Sequence, residues 1–408
     1  MTATSVVRPI QIFVVFAFAY FFSALLRAVT ATLAPVFSLE LGLGPADLGL
    51  LGGAFFFGFA AMQLPLGQAL DRFGPRRTLL VLLAWAMLGC VAFALARSLA
   101  ALVAARLLIG MGVGACLMAP LTLFRSLYSP AVQLRANSWM LMTGSLGMLA
   151  STLPVQWLLP QWGWRGLFWA AAALLGLAWV LIARLAPRDQ PARAAADGRA
   201  HGGYRQIMGQ RIFVRMAPLG FVHYGGLVAV QTLWAGPWLT RVAGCSAAEA
   251  AQGLFVINLA MLMAFMTWGA VLPRLTRRGI DAVRLMTWGL PFSFALLFMN
   301  VALGAVAGPW HWAAWCVACT FVSVSQPAVG QAFPATQAGR ALSAFNLVIF
   351  GGVFCLQWGM GLMIQALTQH GLADTAAFQV TFALFGALAV SAYLWFLWAG
   401  REAADNPP

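Results

Sequence analysis

Twelve stretches of about twenty or more mainly apolar residues follow one another along the chain. They lie near 9–38, 46–70, 77–96, 99–125, 136–159, 166–186, 212–239, 247–272, 282–304, 310–333, 340–367 and 375–399. About 20 apolar residues in helical conformation span the ~30 Å hydrocarbon layer of a bilayer. The runs are continuous, not ten-residue segments alternating in polarity, which excludes a membrane β-barrel. Composition points the same way. Hydrophobic residues make up 62% of the chain and charged residues 8%, against about 25% charged in a soluble domain. A cytosolic enzyme, a secreted disulfide scaffold and a disordered protein are thereby excluded. The chain is read as an all-α polytopic membrane protein. The first run follows Arg8 in the manner of a signal peptide, but eleven more spans follow, so it is read as an uncleaved first helix.

The formal net charge is +14, and all 24 basic residues are arginine. Without lysine there is no Schiff-base amine and no phosphate-loop lysine. Nineteen arginines fall at the ends or loops of one side, Arg97, Arg165 and Arg241 on the other, and Arg27 and Arg106 within spans. By the positive-inside bias, the rich side and both termini are expected in the cytoplasm. The basic surplus is thus a topology signal, not a nucleic-acid footprint. The longest polar stretch, 187–211, reads as a flexible cytoplasmic linker between a six-span half at 1–186 and another at 212–408. A faint repeat supports two halves: Gly67-Gln-Ala-Leu-Asp71-Arg72-Phe-Gly74-Pro75-Arg76-Arg77 is echoed 202 residues later from Gly269 to Gly279, with Pro273 in place of Asp71. Two parallel halves with binding between them is a transporter plan.

The Gly67–Arg77 loop, with Gly67, Asp71, Arg72, Gly74, Arg76 and Arg77, resembles the signature between the second and third helices of the major facilitator superfamily. Arg106 and Gly110 in the fourth span, and Gly163-Trp-Arg165-Gly-Leu-Phe168 before the sixth, are similar to that family too. The fifth span offers Gly144, Gly147 and Pro154 but no adjacent Gly-Pro pair, which counts against a drug/proton antiporter. The resemblance implies twelve transmembrane helices in two six-helix bundles, around a central site lined by helices one, four, seven and ten. It also implies that Asp71, beside Arg72, lies near the start of helix eleven at Arg340, latching the cytoplasmic side between the halves. The competing reading is that Arg72, Arg76 and Arg77 only set topology. By the same resemblance Arg106 takes part in conformational or proton coupling, or else it is an interhelical hydrogen-bond node.

Arg27 lies roughly 5 Å past the middle of the first span. A charged side chain at that depth costs about 2.5–3.5 kcal/mol even on insertion scales, so it is expected to face a wet cavity or a partner. Tyr20, Ser23, Arg27 and Thr30 share one helical face. No Asp or Glu stands at matching depth, so Arg27 is expected to bind an acidic group of the substrate, unless it ties itself to protein oxygens. The seventh span brings His223, Tyr224, Gln231 and Trp234, ahead of Gly236-Pro237, to the same cavity. His223, with an unperturbed pKa of about 6.5, suits a proton-coupling site; a satisfied structural histidine is the alternative. Gln326, Asn346 and Gln357 are further cavity contacts or, equally, interhelical glue, as are Asn258, Ser323 and Ser325.

Two patterns are decoys. Gly110-Met-Gly112-Val-Gly114 fits a loose dinucleotide fingerprint inside an apolar span, where a small-residue packing face explains it. Cys316 and Cys319 have redox-like spacing without further ligands, and all six cysteines read as small apolar residues. No metal or cofactor is expected, and no catalytic constellation appears. The reading is a monomeric secondary transporter of the bacterial inner membrane, embedded in the lipid bilayer and working by alternating access. It moves a small organic anion inward with protons. An exporter of drugs, siderophores or other amphipathic metabolites and a non-transporting membrane sensor are the alternatives.

Overall fold

The computed structural model describes residues 9–189 and 204–405, so the expected linker at 187–211 lies largely outside the described residues. The first half holds α1 (Pro9–Leu41), α2 (Pro45–Phe73), α3 (Pro75–Leu95) and α4 (Leu99–Val113, continued by Ala115–Leu127). Then come α5, which begins with Pro130–Ala150, and α6, which ends the helical run Leu153–Leu185. The second half holds α7 (Arg211–Arg241), α8 (Ala247–Arg277), α9 (Ala282–Val306), α10 (Pro309–Gln331), α11 (Ala335–Gln369) and α12 (Asp374–Asp405).

The helix ends follow local chemistry. Proline, whose missing N–H costs nothing in a first turn, opens α1, α2, α3, α5 and α10. The few carboxylates serve as caps. Asp47 accepts the Gly44 amide before α2 (3.0 Å), Glu249 accepts that of Ser246 before α8 (2.8 Å), and Asp281 accepts that of Arg284 in α9 (2.8 Å).

The fifth span departs from expectation. It starts at Pro130, breaks at Ser151–Thr152 and resumes to Gly163, whose positive φ (59°) turns the chain into α6. Pro154 cannot donate into the preceding turn. The polar groups at the break are met locally: Ser151 Oγ donates to Met148 O (2.7 Å), Thr152 Oγ1 to Leu149 O (2.6 Å), and Thr32 Oγ1 of α1 to Ser151 O (2.8 Å).

Glycines set the helix spacing. A Cβ on Gly110 of α4 would collide with the Phe55 carbonyl of α2, and one on Gly112 with α3 at Ala86. Gly110 and Gly112 therefore each allow a close helix contact, on two different neighbours, whereas Gly114 meets only Met62 of α2 at ordinary contact. Between the halves, Gly49 of α2 lies on the Gln357 carbonyl of α11, Gly361 of α11 on the Pro45 carbonyl, and Gly236 of α7 on the Ala31 carbonyl of α1. At the same arginine-poor end Gln365 Oε1 accepts the Ala46 amide (3.2 Å). Arg241 donates to Ser38 Oγ (3.3 Å) and lies 3.8 Å from Asp374. That end of the molecule is sealed.

Candidate substrate cavity

Two lobes of about 140 and 240 Å³ lie between the halves at mid-depth. Arg27, Tyr224, Gln326 and Phe350 stand in the walls of both, so the lobes form one cavity. The first lobe adds Gln231 and Asn258, and the second adds Tyr20, Ser23, Gln63 and Asn346. Of the sequence-derived candidates, Arg27, Tyr20, Ser23, Tyr224, Gln231, Gln326 and Asn346 are thus gathered in one place.

Among the described residues, Arg27 is the only charged side chain in these walls. Its guanidinium lies beside a pair of rings in mutual contact, Phe59 of α2 (5.2 Å to the ring centroid) and Phe350 of α11 (5.9 Å). Its Nε is buried without a hydrogen-bond partner, and no carboxylate pairs with it among the described residues. The rings attract the cation, and its hydrogen-bonding donors are left unclaimed by protein oxygens.

Arg106 behaves differently. It is 1% exposed and donates from Nη1 to Leu26 O (2.8 Å) and from Nη2 to Thr30 Oγ1 (2.6 Å), with Phe55 at 5.0 Å. These acceptors flank Arg27 on α1, so Arg106 is an interhelical node that fixes the rotation of α1.

Three candidates stand outside the cavity walls. His223 Nε2 is 3.3 Å from Ser293 Oγ, and Ser293 spends its proton on Leu290 O (2.7 Å), so the ring nitrogen is the donor. The imidazole packs on Phe294 of α9 and faces away from the cavity. Trp234 donates to Gln357 O (3.2 Å), and Gln357 Nε2 donates to Thr232 Oγ1 (3.0 Å), which places both in the α7–α11 seam. His223 and Trp234 lie within two π-helical turns of α7, Leu219–Tyr224 and Val230–Trp234, which depart from the regular helical period.

Gln63, Phe59 and Phe350 were missed from sequence. Gln63 had a signal, being a lone polar residue in the apolar run of α2 from Phe55 to Leu66. The phenylalanines had none among 30 in the chain.

The Gly67–Arg77 loop is built around a carboxylate outside the signature. Asp189 accepts the amides of Arg76 (3.0 Å) and Arg77 (2.8 Å) at the start of α3. Gly74, at φ +84°, lies against that carboxyl, where a Cβ would not fit. Arg76 also donates from Nη2 to Ala183 O of α6, while Arg72 lies over Phe73. Asp71 is exposed at the end of α2. The helix N-terminus that receives a carboxylate here is that of α3, and the carboxylate is Asp189. Asp71 and Arg340 both act on Tyr204, in the short helix Tyr204–Met208. Burial pushes that phenol up, Arg340 pulls it down and Asp71 pushes it up.

Twelve membrane-crossing helices around a polar cavity between two bundles define a multi-pass membrane carrier. The chain belongs to the major facilitator superfamily, whose family model matches residues 16–356. It is 30% identical over 241 residues to the probable sulfoacetate transporter of Cupriavidus necator, covering 55% of this chain and 56% of that protein. It is 29% identical over 274 residues to the gallate transporter of Pseudomonas putida, covering 59% and 61%. The chain thus matches about three fifths of the length of these curated relatives. Among solved structures, an inward-facing, unoccupied bacterial homologue of the lysosomal transporter Spinster superimposes with a TM-score of 0.74 at 16% identity. That match covers 98% of this chain and 100% of that one. The family and these relatives are transporters, so the chain is not an enzyme.

Proposed function

We propose that this protein is a secondary transporter of small organic anions in the bacterial inner membrane, importing its cargo by alternating access. One observation carries the reading: Arg27 stands in the cavity wall beside two phenyl rings, and no carboxylate pairs with it among the described residues. A cation at mid-depth without a counter-ion is costly, and a carboxylate or sulfonate entering beside it removes that cost. The relatives named for sulfoacetate and gallate carry acids of that kind, which supports the reading. With the arginine-rich end in the cytoplasm, the sealed end is the outer one, an inward-facing arrangement. Proton coupling through His223 is not part of the proposal, because that side chain ends on Ser293 outside the cavity.

Titration of purified protein with carboxylates, followed by calorimetry or thermal shift, tests this. Wild type is stabilised saturably, and Arg27→Gln binds at least about tenfold more weakly, the loss of a hydrogen bond to a charged group. Equal affinity in the two proteins rules the reading out.

A further inference from the structure

Two hydrogen-bonded amide chains end in the cavity, and their polarity is fixed by what anchors them. The first begins at a backbone carbonyl of α2, Phe59 O, which only accepts. Gln63 must therefore present Nε2 to it (3.3 Å) and turn Oε1 toward Asn346. Asn346 in turn donates from Nδ2 to that oxygen (3.3 Å) and turns Oδ1 toward Gln326, which donates from Nε2. Gln326 Oε1 is left as the last group of the chain, without a donor. The second chain starts at Leu254 O of α8. Asn258 gives Nδ2 to it (2.9 Å), so Asn258 Oδ1 accepts Gln231 Nε2 (3.0 Å), and Gln231 Oε1 is left over. Backbone anchors fix the orientation of each amide along the two chains. Neither terminal oxygen is among the sealed, partnerless buried atoms, so both reach cavity space.

Gln231, Gln326 and Arg27 line the same lobe. Two acceptors therefore share with the guanidinium a lobe in whose walls no carboxylate stands among the described residues. Tyr224 lines the same lobe and Tyr20 the adjoining one, which Arg27 also lines, so each adds a phenol near the cation. Resting on the anion reading above, we infer that the cargo is an organic anion that also carries hydrogen-bond donors, a hydroxylated carboxylate, with Gln231 and Gln326 as the groups that read its hydroxyls. A ligand without such a donor leaves two desolvated carbonyl oxygens unmet. Sites built to pair a substrate hydroxyl reject the analogue lacking it far more strongly than apolar pockets reject a missing methylene. Gln63, Asn346 and Asn258 act through the terminal glutamines and are positioning residues.

Matched pairs test this on the purified full chain by calorimetric titration: benzoate against 4-hydroxybenzoate and 3,4,5-trihydroxybenzoate, and propionate against lactate. The expected result is at least tenfold tighter binding of the hydroxylated member of a pair. Gln326→Met brings that preference to threefold or less while affinity for the plain carboxylate stays within threefold. Gln231→Met, on the other chain, does the same and stands in should Gln326→Met misfold. Gln63→Met weakens the preference too, since it frees Asn346 and Gln326 to flip. Plain and hydroxylated acids binding equally, with both lost in Arg27→Gln, overturns the hydroxyl inference and leaves anion binding standing. Absence of any Arg27-dependent binding overturns both.

Discussion

Arg27 lies beside two phenyl rings and gives no hydrogen bond to a protein oxygen, and that distinguishes it from Arg106. Arg106 commits both terminal nitrogens to α1, at Leu26 O and Thr30 Oγ1, and leaves Nε unpaired. We predict that Arg27→Lys, which keeps charge but loses the planar fork, binds carboxylates with affinity between those of wild type and Arg27→Gln in the same titrations. Arg106→Met removes the tie between α4 and α1 and is expected to cost about 2 kcal/mol or more, read as a lower unfolding midpoint in detergent. Its carboxylate affinity falls as well, because Leu26 and Thr30 flank Arg27. Arg27 was legible in the sequence because depth and charge are both countable there. The fates of His223, Trp234 and Gln357 were not. Which side of α7 meets the cavity depends on two π turns, and those answer to packing against α9 and α11 that no local periodicity encodes.

At the scale of elements, eleven described helical runs are long and apolar enough to cross a membrane by themselves. The twelfth span, α5, carries Gln133, Arg135, Asn137, Thr143 and Ser145, and its break at Ser151–Thr152 moved the boundary that hydropathy alone suggested. Helix existence was readable from apolar length, whereas the break turns on one proline and on side-chain caps. The α2–α3 loop shows the same limit. Its signature residues were recognisable, yet the carboxylate that organises it, Asp189, follows α6 and is distant in sequence. Asp189→Ala is predicted to cost about 1 kcal/mol at the α3 N-terminus. Hydrogen exchange at the Arg76 and Arg77 amides quickens in that variant and stays at the wild-type rate in Asp71→Asn. Quickened exchange in Asp71→Asn as well would return the capping role to the signature aspartate.

For the molecule as a whole, the sealed end depends on glycines that let α2 and α11 touch through their backbones. Gly361→Leu drives a side chain into the Pro45 carbonyl. It is predicted to shift the population toward separation of that end, seen as longer spin-label distances between the ends of α2 and α11 that carry Pro45 and Gly361. Unchanged distances would mean that the seam does not hold the closure. Organisation in two halves was visible in the 202-residue echo, but a cavity between them is a property of folded packing, with Gln63 and Asn346 lying 283 residues apart in sequence. The central claim is that this cavity carries an organic anion past Arg27. Uptake of radiolabelled 4-hydroxybenzoate into proteoliposomes measures it directly. The account predicts saturable uptake by wild type and loss of at least nine tenths of it in Arg27→Gln; uptake that survives the substitution intact, with both proteins folded and reconstituted equally, would contradict it.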